Sequence, residues 1–276
     1  MPMHPRGAGR LTFTLVEIIV AVVVLAVVAG AIYSIFVRGE ESRQGGYELA
    51  EATQNARTGV DLVSRELRSA GFGISPSARP SIATASQYRV TFVLDLNGNH
   101  RVEMGETVTY FLDWNQSDPI VALSPNPYDL VLRRKVSAPG DTLAAPVTGT
   151  GEIVAYGLTQ RSGDDARSRD VPLFSYRNAA GLALELEPGT GNDPAGDFYG
   201  RRVADSDLGI PASPGAGSRV ASILVTMVTE TKQKNVSRGN YDRVSVDAKA
   251  QPSSTPFLRP AHAAFTSNIG AHWYAQ

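Results

Sequence analysis

Two groups of side chains have the types and spacing to do chemistry. The first is a single carboxylate, Glu17, placed directly before an almost unbroken apolar run from Ile18 to Val37. An ionisable group at membrane depth costs on the order of 2.5–3.5 kcal/mol at a helix centre and less near an end, so a partner for it is expected. The second is a set of hard oxygen donors. Asp95, Asn97, Asn99, Glu103 and Glu106 fall at positions one, three, five, nine and twelve of a short polar stretch, with the Arg101 carbonyl at position seven. Donors spaced in this way suit calcium, with Glu103 acting through water. The same residues also suit a polar turn between a strand ending at Leu94 and one starting at Thr107.

Other chemistries are poorly served. The chain has no cysteine, which removes thiol catalysis, Cys-ligated zinc and disulfide stabilisation of an exported domain. Its histidines, His4, His100, His262 and His272, are scattered and form no His-Glu-x-x-His pair. There is no Gly-x-Ser-x-Gly elbow, phosphate-binding loop or dinucleotide fingerprint, so an enzyme is not expected. A net charge of -1 argues against nucleic acid as a partner.

The elements that must position these groups follow from periodicity. The run Ile18–Val37 makes a helix of roughly 30 Å, enough to span a bilayer. His4, Arg6 and Arg10 precede it, whereas charges of mixed sign follow, which predicts a cytoplasmic N-terminus and an extracytoplasmic remainder. The small residues Ala29-Gly30-Ala31 would suit a signal peptidase, but they lie inside the apolar run and favour an uncleaved anchor. Beyond it, Leu49, Ala52, Ala56, Val60, Val63, Leu67 and Ala70 recur at helical steps. They predict a spine that Gly45-Gly46 interrupts with a hinge or unwound turn and that Gly71 and Gly73 stop.

From Gln87 onward, short β-rich runs appear at 89–94, 107–112, 130–134, 153–156, 173–176, 182–186, 220–231 and 243–246. Asn178 to Gly181 is predicted to turn a hairpin between two of them. The fold class is therefore α+β. The organisation is a leader over 1–12, a membrane helix over 13–37, a helical spine over 38–72, a β-rich head over 73–250 with a long loop at 187–218, and a tail over 251–276.

Two phrases in the chain carry a family resemblance. Phe13-Thr14-Leu15-Val16-Glu17 with the apolar helix behind it resembles the N-terminal methylation motif of type IV pilins and of type II secretion pseudopilins. Asp61 to Phe72, closing in Leu67-Arg68-Ser69-Ala70-Gly71-Phe72, is similar to the spine end of PilW-type minor pilins. The resemblance covers about the first quarter of the chain. It implies a pilin-like fold, with a long N-terminal helix packed on an antiparallel β-rich head. It also implies cleavage between Thr12 and Phe13 by a prepilin peptidase, methylation of the new amine, and pairing of Glu17 with the amine of a neighbouring subunit. At the position before the cut the family usually has Gly, and here stands Thr12, whose β-branch restricts the backbone. Gly9 is an alternative cut, but it would set Glu17 three residues too far along. The stretch Asp95 to Glu106 separately resembles an EF-hand or dockerin calcium loop, with His100 where Gly permits the sharp turn and with strands rather than helices around it.

The resemblance implies a minor pilin that primes, caps or decorates a type IV pilus, or else a minor pseudopilin of type II secretion. The implied partners are other major and minor pilins, the prepilin peptidase, the inner-membrane assembly platform and membrane lipid. The only cofactor suggested is calcium. Two rival expectations come from the residues alone. One is a membrane-anchored enzyme recruiting His262, His272, Asp193, Asp197, Asp205 and Asp207, and the other is DNA capture or adhesion through the long loop and Arg201-Arg202.

Overall fold

A single unbroken helix, α1 (Leu15–Ser69), opens the described chain. The computed structural model describes residues 14–74, 81–103, 105–113, 126–137, 151–163, 170–187, 201–208, 220–232, 234 and 240–252. The leader, Thr12 and Phe13 lie outside the described residues, as do most of the 187–218 loop, Asp193, Asp197, and the tail from 253 with His262 and His272.

The chain divides into two units at Gly46. In the first, large apolar side chains from Leu15 to Phe36 are exposed around α1. This part of the helix is long and apolar enough to cross a membrane. Gly45-Gly46 does not interrupt α1 as the sequence led us to expect. A glycine costs roughly 1 kcal/mol relative to Ala, and helix propagation from the turns on both sides outweighs that local penalty.

The second unit is built on the rest of α1. Ala56, Val60, Val63, Leu67 and Ala70 are almost fully buried, while Leu49 and Ala52 are half-buried. Thr53, Gly59 and Ser64 widen the buried stripe. Ala56, Val60, Val63, Leu67 and Ala70 share one core with Phe92, Tyr110, Leu132, Leu158, Phe174, Val225 and Met227 of the sheet. Each large side chain so buried contributes about 1.5–3 kcal/mol. Gly59 marks the closest approach, since a Cβ there would lie 2.9 Å from that of Ala155 and 3.1 Å from the Met227 sulfur. The helix closes in a turn where Gly71 and Gly73 both take φ of 78°, the left-handed conformation that glycine reaches without penalty.

The strands are β1 (Ile82–Ala85), β2 (Arg89–Val93), β3 (Thr107–Asp113), β4 (Leu130–Ser137), β5 (Glu152–Leu158), β6 (Phe174–Arg177), β7 (Leu186–Glu187), β8 (Arg202–Val203), β9 (Ser222–Glu230) and β10 (Arg243–Ala250), with a short helix α2 (Asp205–Leu208) after β8. The eight-stranded antiparallel sheet runs β1-β2-β3-β4-β5-β9-β10, with β6 also pairing β9, and β7 and β8 form a separate ribbon. The fold is thus α+β, with one long N-terminal helix and an antiparallel sheet. On the sheet face away from α1, Thr91 and Thr109 sit opposite each other and share a 3.0 Å hydrogen bond. The buried Arg133 guanidinium meets Asp113 at 2.8 Å.

β9 carries two partners along one edge. β5 reaches it only at Leu158, opposite Thr229, and β6 takes Ser222–Val225. Between them the buried Gln160 amide completes the pairing. Its Nε2 donates to the Thr226 carbonyl at 2.8 Å and its Oε1 accepts from the Val228 N–H at 2.6 Å. Gln160 adopts φ of 48° to do so. The sheet's outer edges are blunted. β1 carries a bulge and has β8 and α2 beside it. Along β10, Asp247 and Lys249 put charge on the edge, and Arg68 donates to the Lys249 carbonyl at 3.4 Å.

Three expectations need correction. The stretch 182–186 does not form a full hairpin arm. The turn is present, with the Asn178 N–H on the Leu182 carbonyl at 2.9 Å, but pairing to β6 stops at one bridge, Arg177 with Ala183, and the strand itself, β7, turns to β8. The 187–218 segment is not without regular structure, since β8 and α2 lie within it. The strand β1 lies before Gln87, and its four residues are too short a run to register as a strand.

Gly59→Val is expected to destabilise the folded chain by about 1–3 kcal/mol, because the added branch has no room at the helix–sheet contact. Gly45→Ala, whose Cβ would meet nothing within 4 Å, should be neutral or stabilising by up to ~1 kcal/mol. Denaturant titration of the detergent-solubilised protein, followed by circular dichroism, measures both.

Candidate functional site

Each end of the described α1 presents one of the candidate groups. At the start, Thr14 caps the helix, and its hydroxyl accepts the Glu17 N–H at 3.2 Å. Thr14-Leu15-Val16-Glu17 is a Ser/Thr-x-x-Glu capping pattern legible in the sequence itself. Glu17 therefore sits exposed in the first turn, where the helix dipole favours negative charge. That gives the carboxylate a local reason to be there alongside any role between subunits.

The other group is a long hairpin connection between β2 and β3, which pair from Arg89–Phe111 to Val93–Thr107. Both buried carboxylates of the loop work inward. Asp95 Oδ1 accepts the N–H groups of Gly98 at 2.7 Å and Asn99 at 3.2 Å, and its Oδ2 accepts that of His100 at 2.8 Å. Glu106 Oε1 accepts from Leu96 at 3.0 Å and Asn97 at 3.4 Å, and its Oε2 accepts from Glu103 at 2.7 Å. The amides continue the coil, with Asn97 Oδ1 on the Asn99 N–H at 3.0 Å and Asn99 Oδ1 on the Arg101 N–H at 2.8 Å. Asn97 Nδ2 donates to Glu103 Oε2 at 3.1 Å.

The structure thus brings Asp95, Asn97, Asn99, Arg101, Glu103 and Glu106 into one closed loop. A carboxylate oxygen holding one N–H keeps a lone pair that a cation could share. Among the described residues, however, no three His, Asp or Glu side chains lie close enough together to hold a metal ion. The loop is closed by its own backbone N–H groups.

Sequence reasoning missed how this loop joins α1. The Gly71 N–H donates to the Val93 carbonyl at 2.7 Å, and the Asp95 N–H to that of Phe72 at 3.0 Å. His100 takes φ of 61° and places its Nδ1 at 2.6 Å from the Gly73 carbonyl, so that nitrogen carries the proton. A Cβ on Gly73 would sit 2.6 Å from Asp95 Oδ2. The trace of it in the sequence is Gly71-Phe72-Gly73, which by itself signals only the end of a helix. Comparison with family models, curated proteins and solved structures gives no match.

Two other polar centres hold the second unit together. Glu66 of α1 accepts from Tyr110 at 2.8 Å and from Arg134 at 2.9 Å, tying the helix to β3 and β4. Burial, with Glu66 adding to it, pushes the Tyr110 hydroxyl up. Glu230 is fully buried and receives Arg161 at 2.7 Å and Arg243 at 2.6 Å, while Arg161 stacks 4.0 Å above the Tyr128 ring. Both arrangements are ion pairs with their partners in place. Of the residues recruited to the rival enzyme and DNA-binding expectations, Asp205, Asp207, Arg201 and Arg202 are described, and they lie in or beside β8 and α2.

Burial works to raise the Asp95 carboxyl, but the N–H bonds from His100, Gly98 and Asn99 outweigh it and hold the group below the usual carboxylate range. A depressed acid stabilises the fold above its unfolded value, and the contribution is lost as pH falls through the folded value. Amide exchange at Gly98, Asn99 and His100, followed by NMR, should lose protection selectively on acidification. Asp95→Asn should lower that protection at neutral pH and flatten its acid dependence.

Proposed function

We propose that this chain is a membrane-rooted minor pilin-like subunit acting in assembly of a type IV pilus, where it primes, caps or decorates the filament. The observation that carries this reading is the double character of α1. Its first stretch exposes apolar side chains all round, while its last stretch, from Thr53 to Leu67, is buried against an antiparallel sheet. A helix apolar on every side needs lipid or like helices around it. The Phe13–Glu17 phrase adds the processing step, with Glu17 at the end of the apolar stretch in position to meet a neighbour's N-terminal amine. In this reading the N-terminus begins in the cytoplasm, the head is periplasmic, and the partners are other pilins, the prepilin peptidase, the assembly platform and lipid.

Intact mass and N-terminal sequencing of the protein from its native membrane are expected to show a methylated Phe13 start. An intact Met1 would sink the pilin pathway and leave a plain anchor. Deletion of the gene should abolish pilus-dependent motility. Loss of protein secretion with motility intact would instead identify a type II secretion pseudopilin.

From the spacing of donors in the sequence we propose one accompanying reading, calcium binding at Asp95, Asn97, Asn99, the Arg101 carbonyl, Glu103 through water, and Glu106. What supports it is the spacing of donors together with a coil already wound around Asp95 and Glu106. Calorimetry on chelator-treated protein should give a calcium binding heat that Glu106→Gln removes. Absence of any heat at millimolar calcium would end the calcium reading without touching the pilin one.

A further inference from the structure

The loop that closes on α1 contains the single Asn-Gly pair of the chain, Asn97-Gly98. Asparagine is a thermolabile residue, and a following glycine, with no Cβ, leaves the next backbone nitrogen open to the side chain. Both residues are exposed, and Gly98 takes φ of 75° with nothing within 4 Å of the position a Cβ would occupy. We propose that Asn97 is a site of spontaneous deamidation, gated by closure of the Asp95–Glu106 loop, whose product holds that loop open.

The chemistry needs only water. The Gly98 backbone nitrogen, after losing its proton to solvent, attacks Asn97 Cγ. The N–Cγ bond forms, the Cγ–Nδ2 bond breaks, and ammonia leaves with protons taken from solvent. The resulting succinimide adds water at either carbonyl and opens to aspartate or isoaspartate at position 97. No oxidant or second protein takes part.

The closed loop opposes the first step in three ways. The Gly98 N–H is donated to the Asp95 carboxylate at 2.7 Å, which disfavours removal of its proton. Asn97 Nδ2 is held by Glu103 at 3.1 Å, and Asn97 Oδ1 by the Asn99 N–H at 3.0 Å. Turning the side chain onto the Gly98 nitrogen breaks the last two bonds. Reaction therefore proceeds from the opened loop, at a rate set by how often it opens.

The product cannot close in the same way. In the isoaspartate product the main chain runs through the former side chain and is one carbon longer, which shifts the N–H groups of the coil; in the aspartate product the donor from position 97 to Glu103 is gone and a second carboxylate faces Glu103. Like charges so placed repel. Because Asp95 and His100 of this loop hold Phe72 and Gly73, the change reaches the end of α1.

The test uses the full chain in detergent, held at constant neutral pH and sampled over time by peptide mapping with isoaspartate detection. Asn97 is expected to convert ahead of every other asparagine, at a rate at least roughly tenfold lower folded than in urea, in keeping with an opening pre-equilibrium. Asp95→Asn should speed the folded reaction. Hydrogen exchange of the converted protein should show lost protection over 95–106, and Glu103→Gln should restore it in the aspartate fraction by removing the repulsion. An unconverted Asn97 when other asparagines have reacted would overturn the site. Equal folded and unfolded rates would overturn the gating, and unchanged exchange after conversion would overturn the opened product.

Discussion

Everything in the second unit depends on one constraint, that α1 from Thr53 to Leu67, about four turns, must lose a stripe of apolar surface to the sheet. The sheet order, the placement of polar ties and the demand for glycine at 59 all follow from it. A helix standing on a sheet normally keeps its distance through side chains, but Gly59 against Ala155 removes that spacer at one point. The contact then tolerates no added volume, because interiors are packed as densely as organic crystals. C-terminal to it, Val60, Val63 and Leu67 share the core with Tyr110, Leu132 and Met227. The ion pair from Glu66 to Arg134, with Tyr110 joining it, fixes which way round the helix faces. It adds orientation more than energy, since a partly buried pair gives back much of its attraction in desolvation.

The polar interior is managed by local completion. Where a strand partner runs out, a side chain supplies the missing group, as Gln160 does for β9. Where charge is buried, it is met either by the opposite sign, as in Glu230 with Arg161 and Arg243, or by backbone N–H groups, as at Asp95 and Glu106. An unmet backbone N–H or carbonyl inside the fold costs about 1–3 kcal/mol. Such substitutions therefore matter as much as the apolar core.

Legibility in the sequence tracked how local the cause was. The spine stripe from Ala56 to Ala70 was readable because helical period is a property of neighbouring residues, and so were β2, β3, β4, β9 and β10, whose runs are long and β-branched. β1, with only Ile82–Ala85, and β8, with Arg202–Val203, carry too little pattern to be seen. The expected break at Gly45-Gly46 failed because propensity is a weak prior inside a long cooperative helix. In the candidate site, donor spacing was legible, but the grip of His100 on Gly73 was not. It is a contact between distant segments made by a residue in the left-handed region. Gln160 was invisible for the same reason, since nothing in its neighbours announces that its amide will serve as a length of backbone.

That last arrangement has an evolutionary side. Because Gln160 splices the end of β5 to the start of the β6 contact on β9, the register of β9 does not depend on the chain that travels between them. Leu158 and Phe174 keep their places opposite Thr229 and Val225 through the strands and this one side chain. Selection for an intact sheet therefore falls on position 160 itself, where a side-chain amide supplies both the donor and the acceptor that a strand backbone would.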